Sequence, residues 1–145
     1  MYFNLFVTFE RKVCTHLQNI LVCVTQQKTC ERLIRSAVNL KSKYKSKGDL
    51  FVLHVAKNDW NFLDNAKEGE ALEYLFDISK SVGANLYVLK SDNIVKTISD
   101  FARENNVTDI IMGESPEDHK ENKFYHELSL ILNDVQIHVI SQSNK

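Results

Sequence analysis

The sequence predicts a single α/β domain built on a five-stranded parallel sheet with helices on both faces. Two observations lead to this class: short apolar runs alternate with stretches of helical periodicity, and the connections between them are short. The length of 145 residues fits one domain. Hydrophobic residues make up 43% and charged residues 26%, with four glycines and one proline, which excludes disordered and collagen-like chains.

The first half of the chain supplies two predicted strands and one helix. The run ILVCV (20–24) is continuously apolar and β-branched, as in strands buried on both faces. From Thr29 the apolar residues recur at spacings of three and four, which predicts a helix, and Gly48 is its predicted C-cap. The stripe consists of Leu33, Ile34, Ala37, Val38, Leu40 and Tyr44. The run LFVLHVA (50–56) is the second predicted strand.

The middle of the chain repeats this pattern twice. A helix that ends at Gly83 is predicted after Gly69, and ANLYVL (84–89) is the third predicted strand. Ser91 or Asp92 is the predicted N-cap of the next helix, which Asn105 and Asn106 end. The two helical stripes are Leu72, Leu75, Phe76, Ser79 and Val82, and then Ile94, Ile98, Phe101 and Ala102.

The last third supplies two more strands around one helix. VTDIIMG (107–113) and VQIHVI (135–140) are the predicted strands. The stripe of the helix between them consists of Phe124, Leu128, Ile131 and Leu132. Strict alternation of strands and helices implies right-handed crossovers, and therefore a parallel sheet covered on both faces.

Residues 1–19 stand outside this alternation, and residues 20–145 form the predicted domain. Phe3, Leu5, Val7 and Phe9 alternate with other residues as in a half-buried strand. An extra edge strand or a packed tail, a dimer contact, and the remnant of a linker are all consistent with the pattern.

Composition also bears on location and on the state of the cysteines. No run reaches the 18 apolar residues of a membrane span, and the opening MYFNLFVTFE lacks the basic start and cleavage site of a leader. We therefore expect a cytoplasmic protein without membrane insertion. Cys14, Cys23 and Cys30 form no CxxC, so we expect reduced thiols. Cys30, near a helix start, is a candidate for a lowered pKa.

The net charge of −1 conceals an asymmetry between the two parts of the chain. Residues 1–50 carry +6 and residues 51–145 carry −7. An anion-facing surface on the first part explains the split, and so do two mutually neutralising faces of one small domain.

Four segments carry a resemblance to the universal stress protein family. They are ILVCVTQQKTCERLIRSA, DLFVLHV, FARENNVTDIIMGES and VQIHVI. Within the family they are most similar to the stress-protein module of the potassium-responsive sensor histidine kinase KdpD. The resemblance implies strand order 3-2-1-4-5, a fold shared with the adenine nucleotide alpha hydrolases. It also implies a role in stress signalling.

Such a sheet reverses its strand order between strands one and four, and ligands of open α/β sheets bind at the carboxyl ends of strands around this point. Nine residues follow strands one, two and four there: Thr25, Gln26, Gln27, Lys28, Ala56, Lys57, Gly113, Glu114 and Ser115. The resemblance therefore implies a nucleotide crevice lined by these residues.

ATP-binding members of the family carry a G-x2-G-x9-G-S/T pattern after strand four, because glycines let backbone N–H groups approach phosphates. Here only Gly113 matches, since the later positions are Pro116, His126 and Glu127. The loop also contains Glu114, Glu117, Asp118 and Glu121. Repulsion between one such carboxylate and a close phosphate costs on the order of 1 kcal/mol at the surface, so ATP is disfavoured.

Some KdpD modules bind cyclic di-AMP, which the resemblance implies as the favoured ligand here. The matching positions are Thr25, Gln27, Leu50, Phe51 and His54. Thr25 preserves a hydroxyl, while Gln27 and His54 substitute other hydrogen-bonding groups. Lys28, Arg32 and Arg35 at the first helix are candidates for phosphate contacts, or else ordinary solvated helix residues.

Other chemistries find little support in the sequence. The five histidines form no i, i+4 pair, so we predict no metal site, and His54 and His138 are interpreted as satisfied or edge-exposed strand residues. The four lysines of KSKYKSKG complement a helix C-terminus, and with only Tyr44 among them we expect no nucleic-acid binding. Trp60 and Phe62 are predicted to cover a ligand, a partner or the sheet edge.

No nucleophile elbow, ordered Ser/His/Asp set or carboxylate pair can be placed on these elements, so we predict no enzyme. Two functions remain. One is a sensing domain that binds an adenine nucleotide and reports on potassium or osmotic state. The other is a nucleotide-free interaction protein that acts on a sensor histidine kinase or a potassium-transport subunit. A homodimer is a candidate assembly for both, through pairing of the last strand.

Overall fold

The computed structural model describes residues 18–25, 27–45, 47–58, 67–113 and 119–141, with the side chains of 27–29 and 119–123 excepted. These residues form five strands and four helices in strict alternation. The elements are β1 (Ile20–Cys23), α1 (Gln27–Tyr44), β2 (Leu50–Ala56), α2 (Glu68–Ser81), β3 (Asn85–Lys90), α3 (Ile94–Glu104), β4 (Asp109–Gly113), α4 (His119–Ile131) and β5 (Gln136–Ile140).

The five strands form one sheet in the order β3-β2-β1-β4-β5, and every neighbouring pair is parallel. The predicted fold class and strand order are therefore confirmed. β1 lies at the centre, and the direction of strand addition reverses between β1 and β4. This reversal fixes the place where an open α/β sheet leaves a crevice at its carboxyl edge.

The central strand is buried on both sides, because helices cover both faces of the sheet. Ile20 and Val22 pack with α1 and α2, whereas Leu21 and Cys23 pack with α3 and α4. Successive side chains of a strand point to opposite faces, so a strand between two layers needs an unbroken apolar run. The sequence ILVC meets that requirement in full.

The two edge strands are less covered than the centre. Every residue of β3 and β5 is half-buried or exposed. On β3, Tyr87 packs edge-on against Phe101 of α3, with ring centroids 4.8 Å apart, and Phe51 of β2 completes the aromatic cluster. This cluster joins the β3 edge to the core below α3.

Two predicted helix caps are wrong. Asn93, rather than Ser91 or Asp92, caps α3, and its side chain accepts from the backbone N–H of Lys96 at 3.1 Å. The other two side chains are engaged elsewhere, since Asp92 accepts from Asn58 and the Ser91 hydroxyl accepts from the Asn93 N–H.

The predicted C-cap of α1 is wrong as well. The helix ends at Tyr44, and the next residue, Lys45, adopts a left-handed conformation with φ of 53°. Gly48 instead lies against the backbone of Gln18. By contrast, Gly83 follows α2 with φ of 73°, and Asn106 follows α3 with φ of 54°, as the predicted helix ends require.

Asn19 joins the amino ends of three strands. Its side chain accepts from the Asp49 N–H at 2.9 Å and donates to the Asn106 carbonyl at 3.0 Å. Its carbonyl accepts from the Thr108 N–H at 2.8 Å. The predicted extension, apart from residues 18 and 19, lies outside the described residues, as do Trp60 and Phe62. Among the described helices, none combines the length and apolar character that crossing a bilayer requires.

Candidate functional site at the carboxyl edge of the sheet

The fold brings the ends of β1, β2 and β4 together at one edge of the sheet. Thr25, just after β1, is exposed, whereas Ala56 at the end of β2 is buried. Gly113 ends β4 and is half-buried. β1 pairs with both β2 and β4, so these residues follow three adjacent strands, as the predicted crevice requires.

The remaining predicted site residues divide into two groups. Gln27 and Lys28 form the first turn of α1, and Lys57 is exposed after β2. Gln26, Glu114 and Ser115 lie outside the described residues, as do Pro116, Glu117 and Asp118 of the acidic loop. The ligand contacts predicted for the whole set therefore stay predictions.

His54 lies inside the sheet rather than at its surface. Only 2% of it is exposed, and its Nδ1–H donates to the Val24 carbonyl at 2.7 Å. This bond ties β2 to the chain just before Thr25, so His54 positions the exit of β1. Burial lowers the pKa of His54 below 6.5, although the Val24 carbonyl opposes the shift. The neutral imidazole is therefore the form that the folded sheet holds.

The buried imidazole makes stability depend on pH. The pKa of His54 is lower in the folded state than its value of 6.5 in the unfolded chain. The contribution of the neutral ring to stability is therefore complete above pH 6.5 and is lost as the pH falls below that value. We expect His54→Gln, which keeps a donor for Val24, to reduce the loss of stability below pH 6.5, which for one proton is at most about 1.4 kcal/mol per pH unit. Urea unfolding across this range measures the effect.

His126→Gln is the matched control, because His126 is exposed on α4. We expect its pH dependence to follow that of the unmodified chain. Equal slopes for the His54→Gln variant and the unmodified chain would contradict the assignment of this loss to His54.

The basic residues of α1 are partly engaged within the protein. Arg35 donates to Glu31 at 2.6 Å, and the other oxygen of Glu31 accepts from Tyr74 of α2 at 3.1 Å. The bond from Arg35, and then that from Tyr74, lower the pKa of Glu31. The pair occupies Nε and one Nη of Arg35 and partly neutralises its charge.

Gly113 lies close to the side chain of Leu33 on α1. A Cβ added there would lie 3.5 Å from one δ carbon of Leu33, which is ordinary van der Waals contact. The backbone at the end of β4 thus packs on α1, and the described residues show no steric demand for glycine at this position. Its predicted role, to let a phosphate approach the backbone, depends on the loop that follows it.

The prediction of a lowered Cys30 pKa is wrong. Cys30 is completely buried against α1's apolar partners, and this burial raises its pKa to about 11. Because the thiolate is the nucleophilic form, Cys30 is inert at neutral pH. Cys23 is also buried, in the opposite layer of the core.

Sequence similarity relates this chain to the sensor protein KdpD. No protein-family model matches the sequence. Over 98 residues, or 68% of this chain, it is 31% identical to the sensor protein KdpD of two Mycobacterium tuberculosis strains, CDC 1551 / Oshkosh and ATCC 25618 / H37Rv. The chain spans 11% of the length of these relatives.

Solved structures match nearly the whole described fold. A universal stress protein from Archaeoglobus fulgidus has a TM-score of 0.57 at 19% identity, covering 86% of this chain and 92% of that one. A universal stress protein in complex with cAMP has a TM-score of 0.61 at 12% identity, with 88% and 98% covered. The Archaeoglobus fulgidus protein in complex with dAMP has a TM-score of 0.56 at 20% identity, with 88% and 98% covered.

This chain has the universal stress protein fold. The predicted resemblance to that family and to KdpD is thereby confirmed. In this universal stress protein fold, the strand order reverses beside β1, and the predicted residues Thr25, Ala56 and Gly113 lie at the strand ends around that point.

In this universal stress protein fold, a buried polar cluster lies at the opposite edge of the sheet, where the strands have their amino ends. Asp109 is 2% exposed, and its carboxylate accepts from Thr108 Oγ1 at 2.7 Å and from His138 Nε2 at 3.0 Å. This confirms that both strand histidines, His54 and His138, are hydrogen-bonded. Sequence reasoning missed Asp109, although a lone acid in the apolar run DIIMG is a recognisable signal.

Sequence reasoning also missed a groove between α3 and α4. Its volume is about 580 Å³. Its lining combines charged residues with the apolar side chains of Val95, Leu130 and Ile131, and Arg103 crosses it to donate to the Ile131 carbonyl at 3.1 Å. The lining belongs to the helices and not to the strand ends, so the groove is separate from the crevice.

Proposed function

We propose that this chain is a non-enzymatic sensing domain that binds an adenine nucleotide at the carboxyl edge of the sheet and acts in potassium or osmotic stress signalling. The observation that carries the proposal is the 31% identity to KdpD over 98 residues. The fold adds support, since two universal stress proteins of similar structure were solved with cAMP and with dAMP. We place the domain in the cytoplasm.

The proposed site consists of Thr25, Gln27, Lys28, His54, Ala56, Gly113 and Ser115. The Thr25 hydroxyl and the Gln27 amide supply hydrogen bonds, and Lys28 supplies a positive charge at the start of α1. Ala56 leaves room at the end of β2, and Gly113 and Ser115 border the phosphates after β4. His54 acts through Val24, because its buried ring orients the strand exit and does not reach the crevice surface.

Within this site, we propose cyclic di-AMP as a better ligand than ATP. The two phosphates of the cyclic dinucleotide carry less charge than a free triphosphate, so the acidic loop after β4 repels them less. The part of the chain that contains β1 and α1 is the basic part, with +6 over residues 1–50. Binding at the ends of β1 and β2 therefore uses the more anion-tolerant side of the crevice.

A thermal shift assay tests the nucleotide. Cyclic di-AMP at one hundred times its dissociation constant adds about 2.7 kcal/mol to stability, which raises the melting temperature by several degrees. The double variant Thr25→Ala and Gln27→Ala is expected to reduce the shift without much change in the ligand-free melting temperature. Asn39→Ala, on the exposed face of α1, is the control that keeps the shift.

A melting curve unmoved by saturating cyclic di-AMP would contradict this part of the proposal. Calorimetry at millimolar ATP with magnesium supplies the second arm, in which we expect weak binding or none. Micromolar affinity for ATP would overturn the argument from the missing glycines and the added acids.

The alternative function is that of a nucleotide-free interaction protein acting on a sensor histidine kinase or a potassium-transport subunit. Two observations favour it: His54 is buried and bonded within the sheet, and Arg35 is paired with Glu31. The first removes a polar side chain from the crevice surface, and the second partly neutralises a positive charge that would attract a phosphate.

A homodimer formed through β5 is compatible with both functions. β5 is an edge strand that pairs with β4 on one side, and Val139 within it is exposed. Unpaired N–H and C=O groups on an edge strand template the addition of a further strand. We therefore propose that two copies pair along β5 and extend the sheet.

A further inference from the structure

His138 occupies a distinctive place, the middle of the edge strand β5. Its ring is 23% exposed, and its Nε2 lies 3.0 Å from Oδ2 of Asp109. Asp109 is on β4, two residues before Ile111, the register partner of His138. The same imidazole therefore contacts a deeply buried carboxylate and remains partly exposed to solvent.

The contact with Asp109 fixes the tautomer of His138. A carboxylate only accepts hydrogen bonds, and its other oxygen already accepts from Thr108 Oγ1 at 2.7 Å, so Nε2 carries the hydrogen. In the neutral ring, the lone pair is then on Nδ1. Since the two ring nitrogens point to nearly opposite sides, Nδ1 points away from Asp109 and β4, toward the free edge of β5.

Histidines that bind a metal through one ring nitrogen usually donate the N–H of the other nitrogen to a carboxylate, a backbone carbonyl or water. His138 has this second contact, because its Nε2–H donates to Asp109. Within one copy, no group of three or more His, Cys, Asp or Glu side chains that could hold a metal occurs among the described residues. One copy therefore supplies a single oriented ligand, and a site needs a second source.

The pairing of two copies supplies that source, and this step rests on the proposed homodimer. When two Gln136–Ile140 strands pair antiparallel over their full length, the two-fold axis passes midway between the two copies of the middle residue. His138 then lies opposite His138 of the partner subunit. Directly opposite residues of an antiparallel pair have Cβ atoms about 4.5–5.5 Å apart and lie on the same face of the sheet.

We propose that the two His138 imidazoles bind one divalent transition-metal ion, of the Zn²⁺ or Ni²⁺ class, across the β5 pair. Each ring contributes Nδ1, and water completes the coordination. Asp109 is the positioning residue, which holds Nε2–H and orients the ring. Imidazole nitrogen suits these metals better than Mg²⁺ or Ca²⁺, which prefer oxygen ligands.

Calorimetric titration of the untagged full chain with ZnCl₂, after treatment with EDTA, tests the site. We expect one ion per two chains. His138→Gln, which keeps a donor for Asp109, removes this binding, whereas His126→Gln retains it. Asp109→Asn weakens binding by about 10- to 100-fold. Long-range ¹⁵N spectra of the imidazoles are expected to show a Zn²⁺-dependent shift of the His138 Nδ1 resonance.

Sedimentation in EDTA and in Zn²⁺ separates this inference from the homodimer. A dimer in EDTA that binds no zinc would overturn the metal site and leave the homodimer intact. A monomer under both conditions would overturn both. Binding of one ion per chain, or equal binding by the His138→Gln variant, would show that zinc binds elsewhere and would also overturn the site. Nucleotide binding is measured independently by the thermal shift assay.

Discussion

Val22→Asp is expected to unfold the domain. Val22 is 0% exposed in the central strand and packs between the sheet and the helices α1 and α2. An uncompensated charge in such a layer costs about 3–5 kcal/mol, and loss of the valine contacts adds about 1.5–3 kcal/mol. The sum is comparable to the whole stability of a typical domain, which is about 5–15 kcal/mol.

Far-UV circular dichroism and one-dimensional NMR measure this effect directly. Phe76→Glu is the matched control, since Phe76 is exposed on α2 and a glutamate there faces Lys80 one turn later. We expect the control to keep its helical signal and its dispersed spectrum. A folded Val22→Asp variant with a melting temperature near that of the control would contradict the double burial of β1.

Gly48→Ala is expected to destabilise the protein by about 3 kcal/mol, which lowers the melting temperature by roughly 10 °C. A Cβ at this position would overlap the Gln18 carbonyl oxygen and lie 2.6 Å from Oδ1 of Asn19. Backbone atoms cannot yield as a side chain can. The segment before β1 therefore has to move, and the bond from the Asp49 N–H to Asn19 is strained with it.

Gly69→Ala is the control for the same chemical change. Gly69 lies in the first turn of α2, and an added Cβ meets no atom within 4 Å. Removing the backbone freedom of a helical glycine stabilises by about 0.5 kcal/mol, so the two variants should shift the melting temperature in opposite directions. Equal effects in thermal unfolding would contradict the close approach at Gly48.

The contrast between these glycines shows where local sequence reasoning stops. Gly48 follows a helix and four lysines, which is the pattern of a C-cap, but Lys45 takes the left-handed position and Gly48 makes space for a distant segment. That segment is thirty residues earlier in the chain. No local pattern carries such information, because the conflict arises only after β1 and β2 have paired.

The residues of the candidate site also differ in how far the sequence predicts their placement. The positions of Thr25, Ala56 and Gly113 at one edge follow from strand ends that the hydrophobic pattern locates, once the strand order is known. The burial of His54 and its bond to Val24 do not follow, because they depend on how the helices cover β2 and on its register with β1. The raised pKa of Cys30 likewise depends on what packs against it.

The sequence by itself determined the number, type and order of the elements, since apolar periodicity reports which residues must leave water whatever their final partners. It also indicated the family through four segments. Only the tertiary structure decided which polar side chains meet, as Asp109 meets His138 across 29 positions and Asn19 meets Thr108 across 89. Hydrogen bonds are short and directional, so these pairings are set by strand register and helix placement and leave no periodic trace in the chain.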